Sequence, residues 1–184
     1  MDEELTNRIA VLARLVECTP GSNVGRTAIM KLAYFLTALR GVPLGYRFTL
    51  YSYGPFDSAV LHDVDFASTL GALSTQPVRY PNGYGYSIQP GEAIEEVKAL
   101  AHDFLQAHEA DIEWVAQEFG NLTAAELELA STIIYMNQEP FGSPIDQEEL
   151  ARRVHDVKPH FSEVRILSRI GDLRTKELLA GVHD

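Results

Sequence analysis

Cysteine occurs once in 184 residues, at Cys18. One thiol excludes an intrachain disulfide and a cysteine-built zinc site. Long apolar runs are missing too: none approaches the ~20 residues that a membrane-spanning helix takes. The opening residues, MDEEL, are acidic and lack the basic-then-apolar order of a secretory signal. A reduced, cytoplasmic protein with no membrane partner is expected. Positive charge is also scarce. The net charge is -11 and the sequence pI is about 4.9. Residues 91–150 hold fourteen acids against one base, Lys98; residues 1–90 hold seven of each, and residues 151–184 hold seven bases and five acids. Phosphate backbones are neutralised by Lys and Arg, so this chain is a poor default ligand for nucleic acid.

Catalytic signatures are equally sparse. There is no His-Glu-x-x-His, no phosphate-cradling glycine loop and no Gly-x-Ser-x-Gly elbow. His62-Asp63-x-Asp65 is superficially similar to the His-Asp pair of metal phosphohydrolases. That chemistry takes further His and Asp ligands at fixed spacing from other helices. His102 and His108 fall on different faces of one helix, and His155 and His160 straddle a helix end. Cys18 follows an apolar helix with no placed histidine, so it is not a nucleophile candidate. The expectation is a protein that is not an enzyme, with no catalytic residue, metal or cofactor. A metal-dependent hydrolase is the second alternative function.

What the chain does have is patterned apolar residues. Leu5, Ile9, Leu12, Leu15 and Val16 make one helical stripe, stopped by Thr19-Pro20-Gly21. A second helix begins at Arg26 or Thr27 and is apolar nearly all round, which marks it as central. Gly41 caps it and Pro43 prevents its continuation. Tyr46 to Tyr53 alternates as a half-buried strand closed by Gly54-Pro55. A third helix follows from Asp57 to about Leu70, with Asp57, His62, Asp63, Asp65 and Thr69 on its outer face. Val78 to Ile88 reads as a hairpin turning at Pro81-Asn82-Gly83. Helix, helix, strand, helix, hairpin is the element order of a winged helix-turn-helix.

From Gly91 the pattern is helical throughout. Ile94, Val97, Ala101, Phe104, His108, Ile112, Val115 and Phe119 predict one acidic helix of about 27 residues, roughly 40 Å long, which offers a seam for a homodimer. Thr123 with Glu126 and Asp146 with Glu149 are capping boxes, the second with Ile145 and Leu150 as a hydrophobic staple. Pro140 to Pro144 is a loop. Ser162 caps a last helix with Phe161 and Ile166 as its staple. The predicted fold is mainly α with a small β-sheet (α+β): a winged-helix-like domain over 1–90 and a helical region over 91–184, comprising the long helix and a three-helix bundle.

Lys31-Leu32-x-Tyr34-Phe35, Gly41-Val-Pro43-Leu-Gly45 and Tyr51-Ser-Tyr53-Gly54-Pro55 together resemble the Panacea-domain proteins, the SocA-like and YwgA-like bacterial and phage proteins. The likeness to the YwgA-type branch extends to Leu122-Thr123-Ala-Ala-Glu126-Leu-Glu128-Leu129 and to Val157-Lys158-Pro159-His160-Phe161-Ser162. The resemblance implies an antitoxin or proteolysis adaptor that acts by binding a toxin protein. It brings no catalytic residues.

Three surfaces compete for the function. Six of the eight tyrosines fall between Tyr46 and Tyr86. Tyrosine gives large contact area at low entropy cost and is enriched in binding hot spots. Tyr51, Tyr53 and Tyr84, with Pro55 and Phe56, are the candidate protein-binding residues, whereas Tyr46 and Tyr86 are expected to pack the sheet. Helix three presents carboxylates where a recognition helix needs donors, so its docking on DNA is disfavoured. Arg152, Arg153, Arg165 and Arg169 in the last helices are the candidate nucleic-acid contacts of an alternative, a DNA-binding transcriptional regulator. Pairing with the acidic residues of the chain is the plainer role for those bases. Lys31, in an apolar helix, is expected to snorkel or to meet an acid such as Asp63 or Asp65. The leading expectation is a non-enzymatic module binding a partner protein, such as a toxin encoded nearby.

Overall fold

The computed structural model describes residues 2–21, 24–80, 83–138 and 146–181. It is 64% helical with two small antiparallel two-stranded sheets, a mainly α, α+β fold as the sequence pattern predicts. The elements run α1 Glu3–Cys18, α2 Arg26–Arg40, β1 Thr49–Tyr51, β2 Gly54–Phe56, α3 Ser58–Thr69, β3 Leu73–Tyr80 and β4 Gly83–Pro90. Then come α4 Ile94–Leu100, α5 His102–Phe119, α6 Ala124–Gln138, α7 Gln147–Val157 and α8 Glu163–Thr175. The chain forms two compact units. The first is Met1–Thr49 with Phe56–Thr123, and the second is Leu50–Pro55 with Ala124–Asp184. The boundary expected at 90/91 is not where this division falls, because α4 and α5 pack on α1 within the first unit.

In the first unit, α2 is the core element. Ile29 to Leu36 are all buried, Lys31 among them at 2% exposure. Phe35 stacks on Phe119 of α5 with ring centroids 4.0 Å apart. Gly41 ends α2 in the left-handed region at φ 67°, and its N–H donates to Leu36 O. Asp57 starts α3 as its N-cap, accepting from the Ala59 N–H at 2.9 Å and the Arg47 N–H at 2.6 Å.

Two elements differ from the sequence pattern. The strand expected over Tyr46–Tyr53 is a short hairpin, β1 with β2, and 41–48 precede it outside any ladder. The alternation is present, since Tyr46 is buried and Arg47 and Thr49 are exposed. Alternation reports a half-buried extended chain and not its pairing, and Gly54 at φ 89° allows the reversal. The single long helix is two helices, broken at Ala101 (φ -118°, ψ 26°). At 16 residues α1 is about 24 Å long, shorter than the expected straight helix. The break lets both pieces pack on α1. Their apolar residues Ile94, Val97, Leu105, Ile112, Val115 and Phe119 are buried. The face offered as a homodimer seam is therefore spent inside the unit.

The β3–β4 hairpin is longer than expected, pairing Leu73 with Pro90 through Tyr80 with Gly83. Its turn residues Pro81 and Asn82 lie outside the described residues, as do the 140–144 loop and Ile145. On the other edge of β4, the Ile88 N–H donates to Val24 O at 2.8 Å. In the second unit, α6 is buried from Leu127 to Ile134 and packs against α7 and α8. Asp146 caps α7 by accepting from the Glu149 N–H at 2.7 Å. Ser162 caps α8 through the Arg165 N–H at 3.4 Å, and the expected staple residues Phe161 and Ile166 are both buried.

Candidate functional site

The second unit carries the hairpin tip, residues 50–55. Tyr51 is 66% and Tyr53 72% exposed, among the most exposed large apolar side chains described. Ser52 is exposed between them. Pro55 is buried, and Phe56, which belongs to the first unit, is half-buried, so neither is part of the exposed face of the tip. Beneath the tip lies α6. A Cβ added at Gly54 would sit 3.1 Å from both Ser131 Oγ and Thr132 Oγ1, so the backbone lies close on α6 and a side chain there would have to push those hydroxyls back by a few tenths of an ångström. Those hydroxyls donate to Glu128 O at 3.1 and 2.7 Å.

Lys158 fastens the same tip. It is the residue after α7, placed where a cation favours the helix C-terminal dipole. Its side chain is 2% exposed. Nζ donates to Tyr51 O at 3.3 Å and to Ser52 O, and lies 3.0 Å from Glu128 Oε1. An ammonium has three donors, and three acceptors surround this one. Glu128 is itself buried, with His160 Nε2 3.4 Å from the same carboxylate oxygen. The Lys158–Glu128 contact is an ion pair by distance, off the angle of a hydrogen bond. Removing one partner of such a buried pair costs roughly 3–5 kcal/mol, because the other charge is left uncompensated.

Sequence patterning offers the bases of the last helices to the acids of the chain but does not single out Lys158 with Glu128. A signal was present: Glu128 stands inside the run Leu127-Glu-Leu-Ala-Ser-Thr-Ile-Ile134, on a helix apolar enough to be buried all round. A carboxylate there demands a buried cation.

In the first unit, Tyr84 of β4 is 82% exposed, with Arg79 of β3 over its ring at 5.8 Å. Tyr46 is buried, though in the extended segment before β1 and not in a sheet. Tyr86, expected in the sheet, is partly exposed and lies under the Arg26 guanidinium, 4.1 Å from ring centroid. Asp63, assigned to the outer face of the third helix, is instead buried at 5% exposure. Its Oδ2 accepts from Arg8 Nε and from Tyr46 Oη, each at 2.7 Å. Burial and the adjacent Asp63 carboxylate push the Tyr46 phenol well above its ordinary range. Asp65 is held by Arg26 at 2.9 Å. The two acids offered to Lys31 thus have arginine partners.

The candidate nucleic-acid contacts are engaged locally. Arg152 and Arg153 both pair with Glu149, at 2.9 and 2.7 Å. Arg169 lies 3.6 Å from Glu126 and 3.8 Å from Asp172. The Arg165 guanidinium sits 5.0 Å from the Phe161 ring centroid.

One cluster among the described residues has metal-ligand composition: Cys18, Glu109 and Glu113, with ligand atoms within 4.8 Å of one another. Arg14 occupies it. The guanidinium donates to Glu109 and reaches Glu113 at 3.2 Å and Glu17 at 2.6 Å. Burial pushes the Cys18 thiol up to about 11 against the pull of Arg14. Burial alone would raise Glu17, but hydrogen bonds from Lys98 and Arg14 outweigh it and hold the carboxyl below its ordinary value. The cluster is an ion-pair network of two bases and several acids whose thiol stays protonated at neutral pH. An open cavity of about 560 Å³ beside it is lined by Arg14, Glu95, Lys98, His102, Leu105 and Glu109. No described helix is long and apolar enough to cross a membrane.

Comparison with protein-family models found no match, and comparison with curated proteins found none.

Proposed function

We propose that this chain is a non-enzymatic protein-binding module of the antitoxin or adaptor type. It acts in the cytoplasm on a partner protein, such as a toxin encoded next to it. Tyr51 and Tyr53 are its principal contact residues, and Tyr84 is a separate contact on the first unit. The observation that carries this is the tip itself: two largely exposed tyrosines flank a serine on backbone fixed from below by α6 and by a buried ammonium. A surface already ordered pays less entropy on association. The resemblance to Panacea-domain proteins supports the same reading, since its Tyr-Ser-Tyr-Gly-Pro segment is this tip.

The DNA-binding alternative is weaker. Its four arginines are engaged by Glu149, Glu126, Asp172 and Phe161, and the chain carries a charge of -11. The test is the double variant Tyr51→Ala with Tyr53→Ala. It should unfold at the native temperature and lose capture of the neighbouring gene's product. Native capture would remove the tip from the function.

A further inference from the structure

We propose that Lys158 and Glu128 are positioning residues that set the conformation of the 51–54 tip, over and above their share in the stability of the second unit. Three kinds of observation carry this. The ammonium reaches two consecutive main-chain carbonyls, Tyr51 O and Ser52 O, so it binds backbone conformation and no side chain of the tip. Glu128 holds the ammonium from α6. Gly54 lies on the same α6 turn, against Ser131 and Thr132, so the reversal is gripped at both ends. Lys158 is 2% exposed while Tyr51 and Tyr53 are mostly exposed. The buried clamp and the displayed rings are thus separate parts of one device. Consecutive carbonyls turned toward a cation are mutually repulsive dipoles, and without the cation that arrangement loses its reason.

The clamp stands on geometry alone; its consequence for binding rests on the function proposed above. The experiment separates positioning from stability by removing the charges singly and together. Lys158→Met keeps the aliphatic stem and leaves Glu128 buried without its cation, which lowers stability. Adding Glu128→Leu removes that orphaned charge and restores much of the stability, because apolar groups of similar volume replace buried ion pairs at little loss. The carbonyls of Tyr51 and Ser52 still have no ammonium.

Backbone 15N order parameters of Ser52, Tyr53 and Gly54 are measured in the full-length protein. They should fall from about 0.85 to below about 0.6 in the Lys158→Met/Glu128→Leu variant, while α6 to α8 keep native values. Should the single variant not fold, the double variant carries the test. Native order parameters at 52–54 in the folded double variant would overturn the proposal, for the pair would then be structural only. The same variant is titrated with the neighbouring gene's product, and about tenfold weaker binding is expected. A mobile tip with native affinity would uphold the clamp and refute the tip as the contact surface.

Discussion

Replacing Asp63 by alanine should be among the most damaging single changes in the first unit. The carboxylate is buried, and one oxygen, Oδ2, serves both Arg8 Nε and Tyr46 Oη at 2.7 Å. Its loss strands a largely covered guanidinium and a buried hydroxyl. Breaking a buried pair from one side costs roughly 3–5 kcal/mol, a large share of the 5–15 kcal/mol that holds a typical domain together. Tyr46→Phe deletes only a donor to a charged acceptor, worth about 1.5–3 kcal/mol. Because both bonds end on one oxygen, the two changes must not add. With Asp63 gone, Tyr46→Phe should cost close to nothing. Urea unfolding of the two single variants and the double variant, with the slope checked for constancy, measures all three values. An Asp63→Ala cost below about 1 kcal/mol, or strict additivity in the double variant, would refute the network as the reason Asp63 is inside. The phenol adds a pH signature. Its native pKa lies above its unfolded value, so its contribution is complete below about pH 10 and is lost as the pH rises further, when only the unfolded chain ionises. Tyr46→Phe should flatten that alkaline slope.

Two further outcomes follow from the geometry. Cys18, with its thiol raised to about 11, should alkylate slowly at pH 8 and its rate should climb until about pH 11; a plateau near pH 8.5, read from iodoacetamide kinetics, would contradict the burial ascribed to it. Gly54→Ala should lower the unfolding free energy by roughly 1–3 kcal/mol, read as a lower denaturation midpoint, since alanine at φ 89° is strained and its Cβ crowds Ser131 and Thr132. A native midpoint would mean the tip does not lie on α6 as described.

The sequence made the helices legible where one apolar stripe or one cap defined them. The stripes of α1 and α2 and the Asp146 and Ser162 caps of α7 and α8 are all local, and all are in place. The break at Ala101 escaped because apolar spacing continues through it: one residue with a shifted ψ changes direction without changing period. The β1–β2 hairpin escaped because period two fixes which face is buried and not which strand is the neighbour. The misplacement of Asp63 has a different cause. A helical wheel sets a charged residue outward by default, and the arginine that pays for its burial is 55 positions away. Lys158 and Glu128 are similar, joined only by tertiary packing. Exposure of Tyr51, Tyr53 and Tyr84 was readable from alternation and turn position, whereas the burial of Pro55 was not.

The central claim is that Tyr51 and Tyr53 form a protein contact surface. Its most direct measurement is the dissociation constant between the purified chain and the product of the adjacent reading frame, for the native protein and for Tyr51→Ala/Tyr53→Ala. Hot-spot tyrosines contribute about 2 kcal/mol or more each, so losing both should weaken binding by roughly 1,000-fold with the unfolding temperature unchanged. Equal dissociation constants for the two proteins would contradict the claim.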